Sequence, residues 1–273
     1  MPEPVKLSSP ATSEFWEIPV LFEDNDLLAL DKPAGLPVSP DRANLKRPSL
    51  IQLLHRGIER GAPWAKHRGL TYLMYGHRLD TEASGIILLA KNKPALVTLA
   101  AQFTTLELSR VYLALTRGTL AEDTFATDAK LAPHPLQMGV IRVDPEEGKR
   151  SHTTFTVKEK FNTCLLLECR PTPDRRNQVR VHLKSLRLPL VGDPVYGGPG
   201  LFLSKLKPGY HLKKEKTERP LLSRPALHMA QMIINQPVTG AKISITAPWP
   251  KDMTVAIKYL RRYAATTPAA PAV

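Results

Sequence analysis

Apolar and polar positions alternate along much of this chain in one of two periods. Ile18 to Leu30 reads as two short strands around the acidic turn Asp24-Asn25-Asp26, a hairpin signal. Lys32-Pro33-Ala34-Gly35-Leu36-Pro37 stops any helix and predicts a rigid loop. From Leu50 to Ile58 the period becomes helical, with Leu50, Leu53, Leu54 and Gly57 on one side. Ile86 to Ala90 is a short continuous apolar run, the pattern of a strand buried on both faces. Pro94 suits the first position of a helix whose Leu96, Leu99 and Phe103 should face the core. Strand alternation returns at Val111/Leu113/Leu115, at Phe155/Val157 and at Leu165/Leu167/Cys169.

Asn177 to Arg187 is again helical in period, with Val179, Leu183 and Leu186 as its apolar stripe and Arg180, Lys184 and Arg187 as a basic stripe beside it. A long exposed loop is expected after Tyr196, through about Arg219. Ala226 to Gln231 and Ile243 to Ala247 predict further strands. Strands outnumber helices and do not alternate regularly with them, so the fold class is α+β. The expected organisation is a loose leader over 1–17, one domain over 18–263, and a disordered Ala/Thr/Pro tail over 264–273.

Composition narrows the function classes. The chain has 273 residues, 42% hydrophobic and 23% charged, enough to bury a core without staples. Cys164 and Cys169 match no zinc spacing and predict buried free thiols. No apolar stretch approaches a membrane span, and residues 1–14 lack a signal-like apolar region, so a cytoplasmic location is expected. The net charge is +13, unevenly spread. Residues 1–40 carry seven acidic and two basic side chains, whereas 41–70 and 201–224 each carry seven basic and two acidic. Concentrated positive charge suits a polyanion, because neutralising phosphates releases condensed counterions.

The candidate chemistry lies at His77-Arg78-Leu79-Asp80, a carboxylate beside a guanidinium ahead of the buried run. Alone, an Arg-x-Asp pair is most often a surface ion pair worth little. This segment, with Ser84-Gly85 and Leu88 to Asn92, resembles the central motif of the RluA-type pseudouridine synthases. Other segments similar to that family appear in order. Asp31 to Gly35 resembles its "NKPAG" loop, Arg110 to Leu115 its "K-x-Y-x-A" strand, and Gly148-Lys149-x-Ser151-x-Thr153 its "GK-x-A-x-T". Gln178 to Leu183 and Pro189 to Gly197 resemble "HQIRVHL…PIVGDPLYG"; Arg224 to Ala230 and Ala247 to Pro250 resemble the closing segments.

The resemblance spans roughly residues 18 to 253 and implies a central, largely antiparallel mixed sheet flanked by helices. It also implies an RNA uridine-to-pseudouridine isomerase acting on ribosomal or transfer RNA. Asp80 is then the catalytic carboxylate, Tyr112 packs on the uracil ring and is a candidate base, and Arg180 pairs with Asp80. Arg78 helps displace the target base. His77, Lys184, Arg176 and Arg187 join Arg78 as candidate RNA contacts, and His77, His182 and His228 read as structural rather than as metal ligands. Asp193 reads as a turn residue. Isomerisation consumes nothing, so no cofactor and no metal are expected, and the partner is structured RNA bound by a monomer. With the catalytic segment starting near residue 18, RNA affinity is expected to come from the catalytic domain itself.

Two departures stand out. Where the family reads "TGRTH", this chain has Pro173-Asp174-Arg175-Arg176-Asn177, and Ala83 replaces a threonine. Asp174 is expected to take the turn a glycine allows, and Arg176 adds charge. These departures motivate a rival reading, a non-catalytic RNA-binding or RNA-chaperone protein on the same fold. A third reading, a glycosidic hydrolase, would need a second carboxylate and a held water.

Overall fold

A computed structural model describes residues 2–40, 46–104, 108–210 and 216–266. In chain order its first elements are β1 (Val5–Ser9), β2 (Glu14–Ile18), β3 (Val20–Glu23), β4 (Leu27–Lys32), α1 (Leu50–Glu59), α2 (Pro63–Lys66), β5 (Met74–Tyr75), β6 (Ser84–Ala90) and α3 (Lys93–Thr104). Next come β7 (Ser109–Arg117), β8 (Thr124–Thr127), β9 (Leu131–Pro133), β10 (Ile141–Val143), β11 (His152–Lys160), β12 (Cys164–Thr172) and α4 (Gln178–Ser185). After a single 3-10 turn at Leu203–Lys205 the chain closes with β13 (Leu227–Asn235), β14 (Lys242–Thr246) and α5 (Lys251–Tyr263). The α+β class read from the sequence is the one observed: mixed β-structure, mostly antiparallel, accompanied by helices.

The chain forms two compact units, one of residues 1–111 with 228–248 and the other of 112–227 with 249–273. In the first, β4 pairs antiparallel with β3 and with β6, and β6 also pairs antiparallel with the short β5. His228 and Met229 of β13 run parallel to Ser84 and Gly85, and β14 returns antiparallel along β13. All seven residues of β6 are buried, which is why its sequence is a continuous apolar run and not an alternation. The helix α1 starts at a capping box, in which Ser49 N donates to Gln52 Oε1 at 3.2 Å. Its Gly57 is needed for close packing, since a Cβ there would lie 2.4 Å from the Trp64 ring.

The segment expected to be a loose leader is instead an antiparallel hairpin. Val5 pairs with Ile18 and Ser9 with Glu14, and Val5, Leu7 and Ile18 are buried. The alternation Val5-x-Leu7 is too short to outweigh the Pro, Ser and Thr around it, and α1 supplies the packing that holds it. On α3 the buried positions are Ala95, Leu99 and Gln102, so the inward face is rotated from the expected Leu96–Leu99–Phe103 stripe. Buried Gln102 is satisfied by bonding both backbone groups of Asn235, at 2.8 and 3.0 Å.

The second unit holds an antiparallel run, β7-β12-β11-β8. Cys164 and Cys169 lie on β12 as buried free thiols, as expected. A small hairpin, β9–β10, packs with α4 through Leu131, Val181 and Tyr196. The helix α5 is not among the elements expected from the sequence, although Met253, Ala256, Ile257 and Leu260 are its buried face at helical spacing. It is tied down by Asp252, which accepts two hydrogen bonds from Arg224 at 2.7 and 2.9 Å. The expected basic loop is exposed at Lys205, Lys207, Lys216 and Arg219, while Lys213 and Lys214 lie outside the described residues. Of the expected tail, 267–273 lies outside them too.

Candidate active site

Asp80 sits on a turn that leads directly into β6. Ala83 N donates to Asp80 O at 3.1 Å, closing the turn, and Leu79 and Ala83 on either side are buried. The turn is pinned from behind by Thr81 O, which accepts from Gly35 N at 2.8 Å and from Lys32 Nζ at 3.3 Å. Lys32 has no exposed surface; its ammonium also donates to Pro33 O and Leu36 O, both at 2.9 Å. A buried lysine of this kind is tolerable because carbonyl dipoles replace its hydration shell. The Lys32–Leu36 loop is thus a clamp on the Asp80 turn, and Asp80 is left half-buried.

Next to Lys32, burial raises the Asp31 carboxyl from 3.8 to about 6, with the Lys32 ammonium opposing the rise. Arg78 is exposed, as an RNA-contact role requires. His77 is not. It is buried, and its Nε2 accepts from Leu88 N at 3.0 Å. Burial, then the nearby Arg110 charge, lower it to about 3, so it is neutral at ordinary pH. His77 therefore braces β6 and offers no charge to a phosphate, a correction to its place among the RNA contacts. Its ring lies 5.1 Å from that of Phe103, and the Arg110 guanidinium sits 5.2 Å from the same Phe103 ring.

Asp80, Arg78 and His77 belong to the first unit; Tyr112, Arg176, Arg180, Lys184 and Arg187 belong to the second. Tyr112, on β7 opposite Cys169, is 5% exposed. Its hydroxyl donates to Asp174 Oδ2 at 2.6 Å. Asp174 does not adopt the left-handed turn expected of it. The left-handed residue of that segment is Asn177, at φ 54°, three positions on.

Arg180 is 4% exposed and belongs to no surface stripe. Its Nε donates to Asp193 Oδ2 at 2.7 Å and its Nη2 to Asp193 Oδ1 at 2.9 Å, a bidentate pair. Nη1 reaches Asn177 Oδ1 at 3.2 Å, and the guanidinium lies 5.0 Å from the Tyr196 ring. Asn177 Nδ2 and Ile141 N both donate to the Tyr196 hydroxyl, at 3.1 and 3.0 Å. Asp193 has no exposed surface and also accepts from Val195 N and Tyr196 N, so the turn read from Asp193-Pro194 is real, but it carries a buried ion pair as well. This takes Arg180 out of the basic stripe expected along α4. Its residues from Gln178 to Leu183 are all buried, and only Lys184 and Arg187 remain exposed as RNA-contact candidates, with Arg176 just before the helix.

Thr153 explains one of the sequence motifs. Fully buried, its hydroxyl bonds His182 Nδ1 at 2.8 Å and accepts from Gln178 Nε2 at 3.1 Å. Those contacts fix the helix that carries Arg180. His182 Nε2 donates to Ala129 O at 2.9 Å, and His228 bonds Ser84 at 3.0 Å, so both histidines serve packing.

Comparison with known proteins places the chain by family and fold. Residues 26–185 match the family described as RNA pseudouridylate synthase. A protein of Nitrosomonas europaea named ribosomal large subunit pseudouridine synthase D is 34% identical over 245 residues, covering 89% of this chain and 65% of its own. A protein of the same name from Zymomonas mobilis is 32% identical over 262 residues, covering 94% and 77%. This chain thus spans about two thirds of the length of the Nitrosomonas relative. Among solved structures, human RNA pseudouridylate synthase domain containing 4 is similar in fold, with TM-score 0.65 and 20% identity over 89% of this chain and 92% of that one. Human RNA pseudouridylate synthase domain containing 1 gives TM-score 0.61 at 17% identity over 92% and 97%. By sequence pattern, fold and family match together, the chain belongs to the RNA pseudouridylate synthase family.

Proposed function

We propose that this chain isomerises uridine to pseudouridine at defined positions of ribosomal RNA, with Asp80 as the carboxylate that acts on the target nucleotide. The observation that carries this reading is the placement of Asp80: half-buried, before a wholly buried strand, on a turn held by Lys32 and Gly35. Catalytic groups need such rigid mounting, because small misplacements cost large factors in rate. Ribosomal RNA is favoured over transfer RNA by the names of the relatives.

The chemistry fits the residues. The glycosidic bond at N1 must break, the base rotate, and C5 bond to C1′, without loss of the base to water. The nucleotide must first leave its stack, at a cost of a few kcal/mol that is least in loops and mismatches. Arg78, exposed beside Asp80, serves that displacement. Nucleophilic addition and assisted elimination both start from an ionised Asp80, and a fixed cation keeps a buried carboxylate ionised. Arg180, which does not lose its proton and whose orientation Asp193 locks, is the candidate for that charge implied by the family resemblance. Tyr112 contacts the uracil.

Single-turnover tritium release from a [5-³H]uridine transcript of large-subunit ribosomal RNA tests the reading, since only displacement at C5 frees the label. The wild type should release tritium, and Asp80→Asn should retain RNA affinity but lose turnover by at least about four orders of magnitude, the scale of losing a covalent or acid–base group. RNA binding without release by the wild type would favour the non-catalytic reading. Free uracil among the products would favour the hydrolase.

A further inference from the structure

The bond between Tyr112 and Asp174 is unlike the other contacts of the site. At 2.6 Å it is short even for an O–H···O bond and falls in the range of a hydroxyl donating to a charged carboxylate. It joins residues 62 apart in sequence, a nearly buried phenol and a half-buried acid of the same unit. The acid is held in place through its neighbour Arg175. Arg175 N donates to Gln178 Oε1 at 3.0 Å, and Arg175 Nε donates to Arg150 O at 3.0 Å, so the segment before α4 is tied at two points. At this position the family pattern has glycine, so the carboxylate belongs to this chain and is no requirement of the fold.

A phenol titrates near 10 and is a poor base while it keeps its own proton. A carboxylate bonded to it supplies the acceptor that proton needs. We propose that Asp174 is a positioning residue for Tyr112, holding the phenol in one orientation and taking its proton as Tyr112 removes the proton on C5 of the target uracil. This rests on the reading that Tyr112 contacts the uracil. After C5 has bonded to C1′, that carbon carries both the sugar and its original hydrogen. The C5–H bond breaks and its electron pair forms C5=C6, while the C6=N1 pair moves onto N1, which takes a proton from water. The released proton bonds to the Tyr112 oxygen as the phenol's own proton passes to Asp174 Oδ2. The carboxylic acid then returns that proton to water. Nothing is oxidised or reduced, and the only net change is the exchange of the C5 hydrogen for a bond to C1′ and of the N1 bond for N–H.

Asp174→Asn keeps an acceptor oxygen at the same place but removes its basicity. Single-turnover assays on transcribed large-subunit ribosomal RNA, with hydrogen or deuterium at C5, read the consequence. The variant should bind that RNA as the wild type does, turn over about 10²-fold more slowly, and show a C5 deuterium isotope effect that the wild type lacks. Tyr112→Phe should be at least as slow, and the double variant no slower than Tyr112→Phe alone, since the acid acts through the phenol. A slow Tyr112→Phe beside an Asp174→Asn with wild-type rate and no isotope effect would overturn the proposal and leave the uracil-contact reading standing. Equal loss of RNA affinity and rate in Asp174→Asn, again without an isotope effect, would reduce Asp174 to a structural staple and also overturn it. A Tyr112→Phe with full rate would sink the uracil-contact reading itself, and the proposal with it.

Discussion

Asp193 shows how one side chain in this protein does two jobs that its sequence context advertises only once. Gly192-Asp193-Pro194 is legible as a turn, and Asp193 Oδ1 does accept from the backbone of that turn. Its pairing with Arg180, 13 residues away and wholly inside the protein, has no signature in local pattern. Removing one partner of a buried pair leaves the other charge unsolvated, so Asp193→Asn should cost about 3–5 kcal/mol of stability by urea unfolding. A change under about 1 kcal/mol would mean that Arg180 finds other support. Asp31 carries the opposite kind of strain. Its folded pKa, about 6, lies above the ordinary 3.8, so folding favours the protonated acid. Stability is therefore lost as pH rises from 3.8 through about 6, and the loss is complete above that. Asp31→Asn should stabilise the protein at about pH 7.5 by roughly 1–2 kcal/mol, discounted for partial exposure, and by little at about pH 4. An equal shift at both pH values would contradict the assignment. The Asp174 bond to Tyr112 is also invisible in sequence, where Asp174 reads only as a substitute for a turn glycine.

At the scale of elements, β6 is the most legible because its burial on both faces leaves nothing polar to interrupt the run. Gly85 is part of the same logic. It has φ +111°, and a Cβ there would meet Met229 O at 2.2 Å, so the parallel strand β13 approaches only a glycine. Gly85→Ala should destabilise by at least about 2 kcal/mol and weaken the β6–β13 pairing, with faster amide exchange at Met229 as the readout. Unchanged exchange and stability would contradict that geometry. Two elements are hidden in the sequence for opposite reasons. The β1–β2 hairpin is held by packing under α1, a contact that a five-residue alternation does not announce. The helix α5 carries a plain Met253–Ala256–Ile257–Leu260 stripe that the lysines and arginines around it mask. On α4 the helical period is legible, but the basic residue nearest the apolar stripe, Arg180, is buried. Period alone does not say which charges have an internal partner.

For the whole molecule, motif order carries what periodicity does not. Segments from Asp31 to Pro250 keep the family's sequence of motifs, and the family match and fold agree with them. The structure gives several motifs a mechanical meaning: Lys32 clamps the Asp80 turn, Thr153 anchors the helix of Arg180, and Asp193 locks Arg180 itself. Charge adds the partner class. The chain carries +13 overall, and Arg78, Arg176, Lys184 and Arg187 are exposed, as the proposed contacts with phosphate require. What the charge does not specify is the uridine, because phosphate contacts carry no sequence information. The measurement that tests the central claim most directly therefore reads the target and the catalytic residue together. Pseudouridines would be mapped across total RNA by carbodiimide-stop sequencing in a native host lacking the gene, rescued with the wild type or with Asp80→Asn. The account predicts that at least one ribosomal RNA site disappears and that only the wild type restores it. Restoration of that site by Asp80→Asn, or survival of every pseudouridine without the gene, would contradict it.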